Sequence, residues 1–449
     1  MNIKNLFFLI LVFLFSMCKQ DKTTENKTDE DFLTGYQPIS LKSEISSVQP
    51  MTGIVFWPSQ AKSRHNTYGE SIALEYSYCL PSDVVKGKSN GTINYDWSSF
   101  EALLNDISGR QHQAIIRFRY EYPNATTNGI KGGTAVPDYI KALPGYEETY
   151  SANPGGDGPT YYADWNNEEL QWFTKQFYTD FAKKYDNDPR IAFIQVGFGH
   201  WSEYHIYGTT LDLGKNFPSH TYQSEFLNHI NTVFKNMPWN ISIDAADSKY
   251  TPIANSTALR LLNFGLFDDS FMHEKHEISQ GGGYNERCWI SIGTDRWKKN
   301  PAGGEISYYT KNDQKNFLNP EGMYGVTWEE ASTKYHITYI IGNDSPGAIY
   351  GTSERMKDAS MLCGYRFRIE DFRTKGDTAA VKIKNTGIAP IYKDAFVTVD
   401  GIRSEFSLKY LLPDSTLWVK VSSPNKEYKL TIESDFILKS QRIEYEANI

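Results

Sequence analysis

Eight short, mostly apolar runs lie between residues 50 and 365, separated by more polar stretches. Runs of this length are typical of strands buried on both faces of a parallel sheet. Helical patterns lie between them, so the chain predicts a (β/α)8 TIM-like barrel over residues 50–365. An open doubly wound sheet is the alternative, but no Gly-rich phosphate turn follows the first run. The runs are GIVFW (53–57), IALEYSY (72–78), AIIRFRY (114–120), IAFIQVGF (191–198), ISIDA (241–245), LNFGLF (262–267), GEISYY (304–309) and HITYII (336–341).

The clearest helical pattern runs from about Asn166 to Tyr185. Leu170, Phe173, Phe177 and Phe181 recur on one face of it, which predicts an apolar stripe against the sheet. Asp164 or Asn166 is the expected N-cap. Weaker helical patterns cover residues 97–108, 223–237, 252–262, 327–335 and 353–363.

The pattern changes to short alternating runs after about residue 365. RFRIEDFR, AAVKIKN, AFVTVDG, SEFSLKY, TLWVKVS and EYKLTIES are separated by turn residues. This predicts a small antiparallel β-sandwich over residues 366–449. Structural support of the barrel and an ancillary sugar-binding role are both open for it.

The first residues have the features of a targeting segment. Lys4 precedes an apolar run that is too short to span a bilayer, so residues 1–17 predict a secretory signal. Cys18 follows directly, and a cysteine at such a junction resembles the lipobox of bacterial lipoproteins. We therefore expect lipidation of Cys18, a polar tether over residues 18–49, and attachment to the outer membrane or cell surface of a bacterial envelope. Ordinary secretion, to the periplasm or beyond, is the alternative.

Composition narrows the classes of partner. The chain has 46 Lys and Arg against 54 Asp and Glu, a net charge of −8, which disfavours nucleic acid. Aromatic residues make up 14 %, and flat rings with a polar edge suit sugars. The other cysteines, Cys79, Cys288 and Cys363, have no zinc spacing, and His273 and His276 are three apart rather than four. We therefore predict a carbohydrate partner, membrane contact only through the lipid anchor, and no metal or cofactor.

Two glutamates are the best candidates for catalysis. In such barrels the reactive side chains come from strand ends and the loops after them. Glu203 follows the fourth run in FIQVGFGHWSEYH, and Glu305 lies on the seventh in NPAGGEISYY. A pair of carboxyl groups across the barrel mouth suits glycosidic bond hydrolysis. Gly303 and Gly304 lack side chains, so we expect them to let a substrate approach Glu305 closely.

These strings resemble known proteins over most of residues 50–449. Glu203 after strand four and Glu305 on strand seven are similar to the layout of the large retaining glycoside hydrolase clan with (β/α)8 barrels, although Ser202 replaces the clan's Asn. IIRFRY, VGFGHWSEYH, GGE and AAVKIKNTGIAPIYKD resemble a family of bacterial barrel-plus-β-sandwich proteins regarded as glycosidases. The resemblance implies a sugar-active barrel.

Other side chains near predicted strand ends are candidates for binding substrate. Arg117 and Arg119 share a strand face, so they either grip an anionic sugar or form structural ion pairs. Asp244 ranks first, ahead of Asp247, Asp268 and Asp269, as a replacement for one of the two glutamates. The full set of predicted substrate-binding residues is Arg117, Arg119, Trp201, His205, Asp244, Tyr308 and Trp328.

The leading functional hypothesis is a glycoside hydrolase that cleaves a poly- or oligosaccharide with retention of configuration, using Glu203 as acid/base and Glu305 as nucleophile. One alternative is a glycan-binding lipoprotein without catalysis. Another is a polysaccharide lyase that uses Arg119, His205 and a tyrosine on uronate sugars.

Overall fold

The computed structural model describes residues 32–276, 283–342 and 350–449. All eight predicted runs form strands, and each pairs in parallel with its neighbours to close a barrel, which confirms the predicted fold class. Between β6 and β7 the register shifts after Asp268, so the strand end there is irregular. The barrel strands are β1 (Gly53–Phe56), β2 (Leu74–Cys79), β3 (Gln113–Phe118), β4 (Ile191–Gln195), β5 (Trp239–Ser242), β6 (Gly265–Phe271), β7 (Ala302–Ile306) and β8 (Ile337–Ile341).

Helices pack around the barrel, and the predicted apolar stripe of the longest one is buried. Its N-cap is Asn167, whose side chain accepts from the Leu170 N–H, rather than Asp164 or Asn166. The predicted helix over 252–262 shrinks to the single turn Thr257–Arg260, because the Ser256 side chain caps it late. The main helices are α1 (Ser98–Gly109), α2 (Glu168–Tyr185), α3 (His220–Val233), α4 (Tyr284–Ile292), α5 (Trp328–Lys334) and α6 (Ser353–Leu362).

Short elements fill the connections. Helical turns occur at Pro58–Ser63, His65–Tyr68, Pro81–Val84, Asp138–Lys141, Pro154–Gly156, Ile243–Ala246, Arg296–Lys298 and Lys311–Asn316. Two-stranded sheets join Val85–Ser89 to Thr92–Tyr95, Thr126–Thr127 to Ile130–Lys131, and Thr149–Ser151 to Thr160–Tyr162. The last two lie in the long connection between β3 and β4, which therefore has structure of its own.

The C-terminal part contains two further sheets that share one hydrophobic cluster. Most of their strands pair antiparallel, as the alternating pattern predicted, but β9 and β15 pair in parallel. The strands are β9 (Phe367–Lys375), β10 (Thr378–Asn385), β11 (Phe396–Val399), β12 (Ile402–Arg403), β13 (Thr416–Ser422), β14 (Leu430–Glu433) and β15 (Tyr445–Asn448).

Part of the stretch predicted as a polar tether belongs to the larger of the two C-terminal sheets, which contains β9 and β15. Gln37–Pro38 pairs with β9, and Lys42–Ser43 pairs with β15. The backbone N–H groups of Ser46 and Ser47 also donate to the Glu444 carboxylate. The predicted signal segment and Cys18 lie outside the described residues. Among the described helices, we find none with the length and apolar character needed to cross a membrane.

The foot of the barrel and the C-terminal sheets form one packed unit. The amino ends of β3 and β4 reach the sheets through the Gln113 amide, which donates to the Phe436 carbonyl, and through Lys393, which donates to the Ile191 carbonyl. Barrel residues such as Leu74 and Phe193 share the hydrophobic cluster of the sheets. The opposite, carboxyl end of the barrel is left for the candidate site.

Candidate active site

Three carboxyl groups meet at the carboxyl end of the barrel. Glu203 follows β4, Asp269 lies near the end of β6, and Glu305 lies near the end of β7. One oxygen from each lies within 4.8 Å of the others. Glu203 and Glu305 are each 6 % exposed, and Asp269 is half-buried. The structure thus brings the two predicted glutamates together and adds Asp269, which the sequence ranked below Asp244. We call these three residues the carboxylate cluster.

Arg117 holds the carboxylate cluster together. Its Nη1 donates to Glu203 Oε1 at 2.5 Å, and its Nη2 lies 3.5 Å from Asp269 Oδ1 and 3.8 Å from Glu305 Oε1. The guanidinium is fully buried. It provides one positive charge for three carboxyl groups, so the cluster cannot ionise completely without a large electrostatic cost.

Neighbouring polar groups fix the position of Arg117. Its Nε donates to Gln195 Oε1 at 2.7 Å, and the Gln195 amide donates to the Tyr339 hydroxyl. Gln195 was not among the predicted site residues, although a polar residue inside the apolar run IAFIQVGF was the available signal. Ser242 was not predicted either; its hydroxyl donates to Asp269 Oδ2 at 2.8 Å.

The surroundings of the carboxylate cluster favour retained protons. Burial, reinforced by the charge of Asp269, raises the pKa of Glu203 well above its usual range despite the opposing effect of Arg117. Burial also raises the pKa of Asp269 to about 7. At least one proton therefore stays on the cluster near neutral pH, as a general acid requires.

The loop that carries Glu203 has an unusual backbone, with Trp201, Ser202 and Tyr204 all at positive φ. Such angles are uncommon for residues other than glycine and cluster at functional sites. Gly197 makes this course possible, because a Cβ there would lie 1.9 Å from the Ser202 carbonyl oxygen. The Arg117 guanidinium also donates to the Trp201 carbonyl, so the loop and the carboxylate are held by the same group.

Gly303 and Gly304 have a different role from the one predicted. A Cβ on Gly303 would lie 2.3 Å from the Tyr339 ring, and one on Gly304 would lie 2.1 Å from the Asp268 carbonyl oxygen. Protein atoms fill the space that was assigned to a substrate. The two glycines instead allow β7 to approach its neighbours and so set the position of Glu305.

His205, on the Glu203 loop, forms a second polar group with Asp244 from the turn Ile243–Ala246 after β5. His205 Nδ1 lies 2.7 Å from Asp244 Oδ2, and the Tyr284 hydroxyl donates to Asp244 Oδ1 at 2.8 Å. Asp244 raises the pKa of His205 against the effect of burial. Asp244 is thus paired with His205 rather than placed in the carboxylate cluster. The predicted His205 and Asp244 positions are both near the site.

Aromatic side chains continue around one side of the barrel mouth. Four of these residues are partly exposed, and together we call them the aromatic rim: Trp57, Tyr78, Tyr122 and Trp201. Their ring centroids are 5.4 Å apart for Trp57 and Tyr78, 5.6 Å for Tyr78 and Tyr122, and 6.1 Å for Tyr122 and Trp201. The Trp57 indole N–H donates to the exposed Tyr308 hydroxyl, which extends the rim. Such a row of rings suits stacking against sugars.

Two other residues lie away from the cluster. Trp328, predicted to bind substrate, is fully buried at the start of α5, and its indole N–H donates to the Ala359 carbonyl in α6. It packs the helical layer and is closed to a substrate. Glu75 points out of the barrel and is paired with Arg110 and His112, whereas Tyr76 points inward.

The predicted pair of arginines divides into two environments. Arg117 lies within the carboxylate cluster, whereas Arg119 lies beside the rings of Tyr78 and Tyr122. The three cluster carboxylates have the spacing of a cation site. Arg117 provides the positive charge at that place, so the geometry is explained by side chains alone.

No family model and no curated protein matches the chain. Solved structures are similar to it in fold at low identity. Endo-glycoceramidase II from Rhodococcus sp., in a ganglioside GM3 complex, is 10 % identical over 88 % of this chain and 99 % of its own, with a TM-score of 0.41. The catalytic domain of the beta-amylase from Paenibacillus polymyxa is 11 % identical over 70 % of this chain and 100 % of its own, with a TM-score of 0.43.

Proposed function

We propose that the protein is a glycoside hydrolase that cleaves a poly- or oligosaccharide with retention of configuration. The observation that supports this most is the carboxylate cluster: Glu203, Asp269 and Glu305 around one buried guanidinium at the mouth of a barrel. The aromatic rim beside it offers stacking surfaces for a sugar chain.

In the proposed first step, Glu203 acts as the general acid and Glu305 as the nucleophile. The protonated Glu203 gives its proton to the glycosidic oxygen as the bond to the anomeric carbon breaks. The Glu305 carboxylate forms a bond to that carbon and gives a covalent glycosyl-enzyme. Arg117 stabilises the negative charge that the cluster regains when Glu203 loses its proton.

In the second step, the Glu203 carboxylate takes a proton from water while the water oxygen attacks the anomeric carbon. The bond to Glu305 breaks, and both glutamates return to their starting states. Carboxyl groups about 5–5.5 Å apart favour this double displacement, whereas inversion needs about 6.5–9.5 Å for a water between them. One oxygen of Glu203 lies within 4.8 Å of one oxygen of Glu305, and this short approach is the basis for proposing retention.

The test uses Glu203→Gln and Glu305→Gln against a panel of plant and algal glycans. Each variant keeps the side-chain shape and removes the acid or the nucleophile, so we expect turnover to fall by at least about 100-fold. Release of reducing ends measures the reaction. Glu225→Gln is the matched control, because Glu225 lies on the surface of α3 with a side chain that is 56 % exposed.

Further outcomes separate the alternatives. Azide should restore turnover to Glu305→Gly by replacing the missing carboxylate, which would identify the nucleophile. Full activity in both glutamine variants would refute the assignment. Glycan binding without reducing ends would point to a capture protein, and a product that absorbs in the ultraviolet would point to a lyase.

The proposed setting is the bacterial cell envelope. Lipid attached to Cys18 would hold the barrel at the outer membrane or cell surface, and residues 19–31 would separate it from the bilayer. Labelling with a radioactive fatty acid in wild type and in Cys18→Ser tests this proposal.

A further inference from the structure

Arg119 is a buried cation whose role the carboxylate cluster does not explain. The residue is 8 % exposed, and its backbone N–H donates to the Cys79 carbonyl at the end of β2. The guanidinium carbon lies 4.7 Å from the ring centroid of Tyr122 and 5.8 Å from that of Tyr78. These ring faces offset only part of the cost of burying a charge.

Within the described part of the chain, neither Nε nor Nη1 of Arg119 has a hydrogen-bond partner, although both are buried. Nη2 is the guanidinium nitrogen that is not sealed from solvent. No described carboxylate lies within ion-pair distance, in contrast to Arg117, which reaches three. Buried guanidiniums are usually paired, so this one has an unmet requirement for an anion.

The nearest acidic side chains do not meet this requirement. Asp83 and Glu121 act on Arg119 only at longer range. Burial raises the pKa of Glu121 to about 8, which leaves its carboxyl group mostly protonated at neutral pH. The Glu121 oxygen Oε1 accepts from the Ala163 N–H instead. The charge of Arg119 therefore remains uncompensated by its own chain.

The position of Arg119 connects it to the candidate active site. Tyr78 lies between the two guanidiniums, since its ring centroid is 5.4 Å from the Arg117 carbon and 5.8 Å from the Arg119 carbon. Tyr78 and Tyr122 are both members of the aromatic rim. A sugar chain that stacks on the rim and reaches Glu203 would pass beside Arg119.

We propose that Arg119 forms an anion subsite of the cleft, which binds a carboxylate or sulfate group on a sugar of the substrate. This inference rests on the proposed function in treating the glycan as a substrate. The subsite itself requires only that the glycan binds. A planar guanidinium matches both oxyanions, because two N–H groups can donate to two oxygens at once. The substrate class is accordingly a uronate-containing or sulfated glycan.

The test compares binding of each charged glycan with binding of its neutralised form. Polygalacturonate is set against the same polymer after carboxyl reduction, and a sulfated galactan against its desulfated form. Affinity electrophoresis with the inactive Glu203→Gln protein measures binding without turnover. We expect one charged member to bind roughly ten- to a hundred-fold more tightly than its neutral counterpart, and the pair that shows this identifies the anion.

Adding Arg119→Gln should remove that preference, so that binding of the charged form falls more than binding of the neutral form. Arg119→Lys should keep part of the preference for the charged glycan, because the positive charge remains but the paired N–H donors of the guanidinium are lost. Arg368→Gln is the matched control, since Arg368 lies on β9 with a side chain that is 51 % exposed. A thermal melt checks that each variant is folded.

Two results would overturn the subsite. One is equal binding of charged and neutral glycans by the protein that keeps Arg119, which needs no Arg119 variant to observe. The other is an equal loss for both forms in Arg119→Gln, which would show a packing role only. Arg119-dependent binding without any release of reducing ends would refute hydrolysis and keep the subsite, so the two proposals fail separately.

Discussion

At the scale of single residues, the main feature is a shortage of positive charge. The single positive charge of Arg117 faces three carboxyl groups. The guanidinium and the three carboxyl groups are all largely removed from water. Two carboxylates that close together raise each other's affinity for protons. Asp269 therefore raises the pKa of Glu203, and this effect can be separated from direct participation in catalysis by measurement.

Asp269→Asn should move the alkaline limb of the pH–activity profile to lower pH. The negative charge of Asp269 raises the pKa of Glu203, so an uncharged amide lets Glu203 lose its proton sooner. Removing Asp269 also leaves more of the Arg117 charge for Glu203, and both effects have the same sign. We expect a shift of about one pH unit or more in kcat/KM.

Asp414→Asn serves as the control for this shift, because Asp414 has a side chain that is 86 % exposed and lies far along the chain from the cluster. An unchanged alkaline limb in Asp269→Asn would mean that Asp269 does not influence the acid. Complete loss of activity at every pH, with the fold intact, would instead make Asp269 a candidate for the nucleophile.

The sequence could place Glu203 and Glu305 at the carboxyl end of the barrel because each follows or lies on a run with a clear strand pattern. It could not rank Asp269 above Asp244, since neighbouring aspartates end both runs and the register shift after Asp268 cannot be read from residue types. The prediction that Trp328 binds substrate was wrong for a different reason. A tryptophan next to a strand end has the same appearance in sequence whether it faces solvent or packs between helices.

At the scale of elements, the loop after β4 holds strained backbone angles beside the Glu203 carboxylate. Trp201, Ser202 and Tyr204 hold left-handed angles, and the contacts of Gly197 and Arg117 keep them there. The position of Glu203 beside Arg117 therefore depends on the absence of a side chain at Gly197.

Gly197→Ala should lower activity strongly while the barrel stays folded. The added methyl group would meet the Ser202 carbonyl oxygen at 1.9 Å, so the loop must move and carry Glu203 with it. A shift of about 1 Å in a catalytic group costs on the order of 100-fold in rate. Turnover and a thermal melt measure the two effects.

Gly109→Ala is the control for this change, since a Cβ at Gly109, the last residue of α1, meets nothing within 4 Å. We expect that variant to keep full activity and to gain slightly in stability from its helix propensity. Normal turnover in Gly197→Ala would show that the loop adapts and that its course is not essential.

The strands were predictable because a strand buried on both faces is a continuous apolar run, which stands out from the polar stretches on either side. The helices were less so. Helix α4 was missed because its apolar residues do not mark a single face: Cys288, Trp289 and Ile292 are buried, whereas Ile290 is 66 % exposed. The pattern over 252–262 looked helical but yields one turn. Caps such as Ser256 and Asn167 decide those boundaries, and several nearby polar residues compete for each cap.

At the scale of the whole molecule, the C-terminal sheets act as the floor of the barrel. The contacts join the amino ends of the barrel strands to the sheets, opposite the carboxylate cluster, which favours the support role over direct participation in catalysis. Residues 37–43 add two short strands to the same sheets, so the chain before the barrel contributes to this floor.

The barrel without this floor, residues 50–365, should not fold into a stable, active protein. Its truncation would expose Leu74, Ile115 and Phe193 of the shared cluster, and each large apolar side chain moved into water costs about 1.5–3 kcal/mol. It would also leave the Gln113 amide and the Ile191 carbonyl without their partners from the sheets. A chain of residues 32–449 is the control and should melt cooperatively with full turnover, because every described contact is kept. Cooperative melting of the shorter chain at the same temperature would show that the barrel core closes by itself and that the sheets were added for another purpose, such as binding sugar.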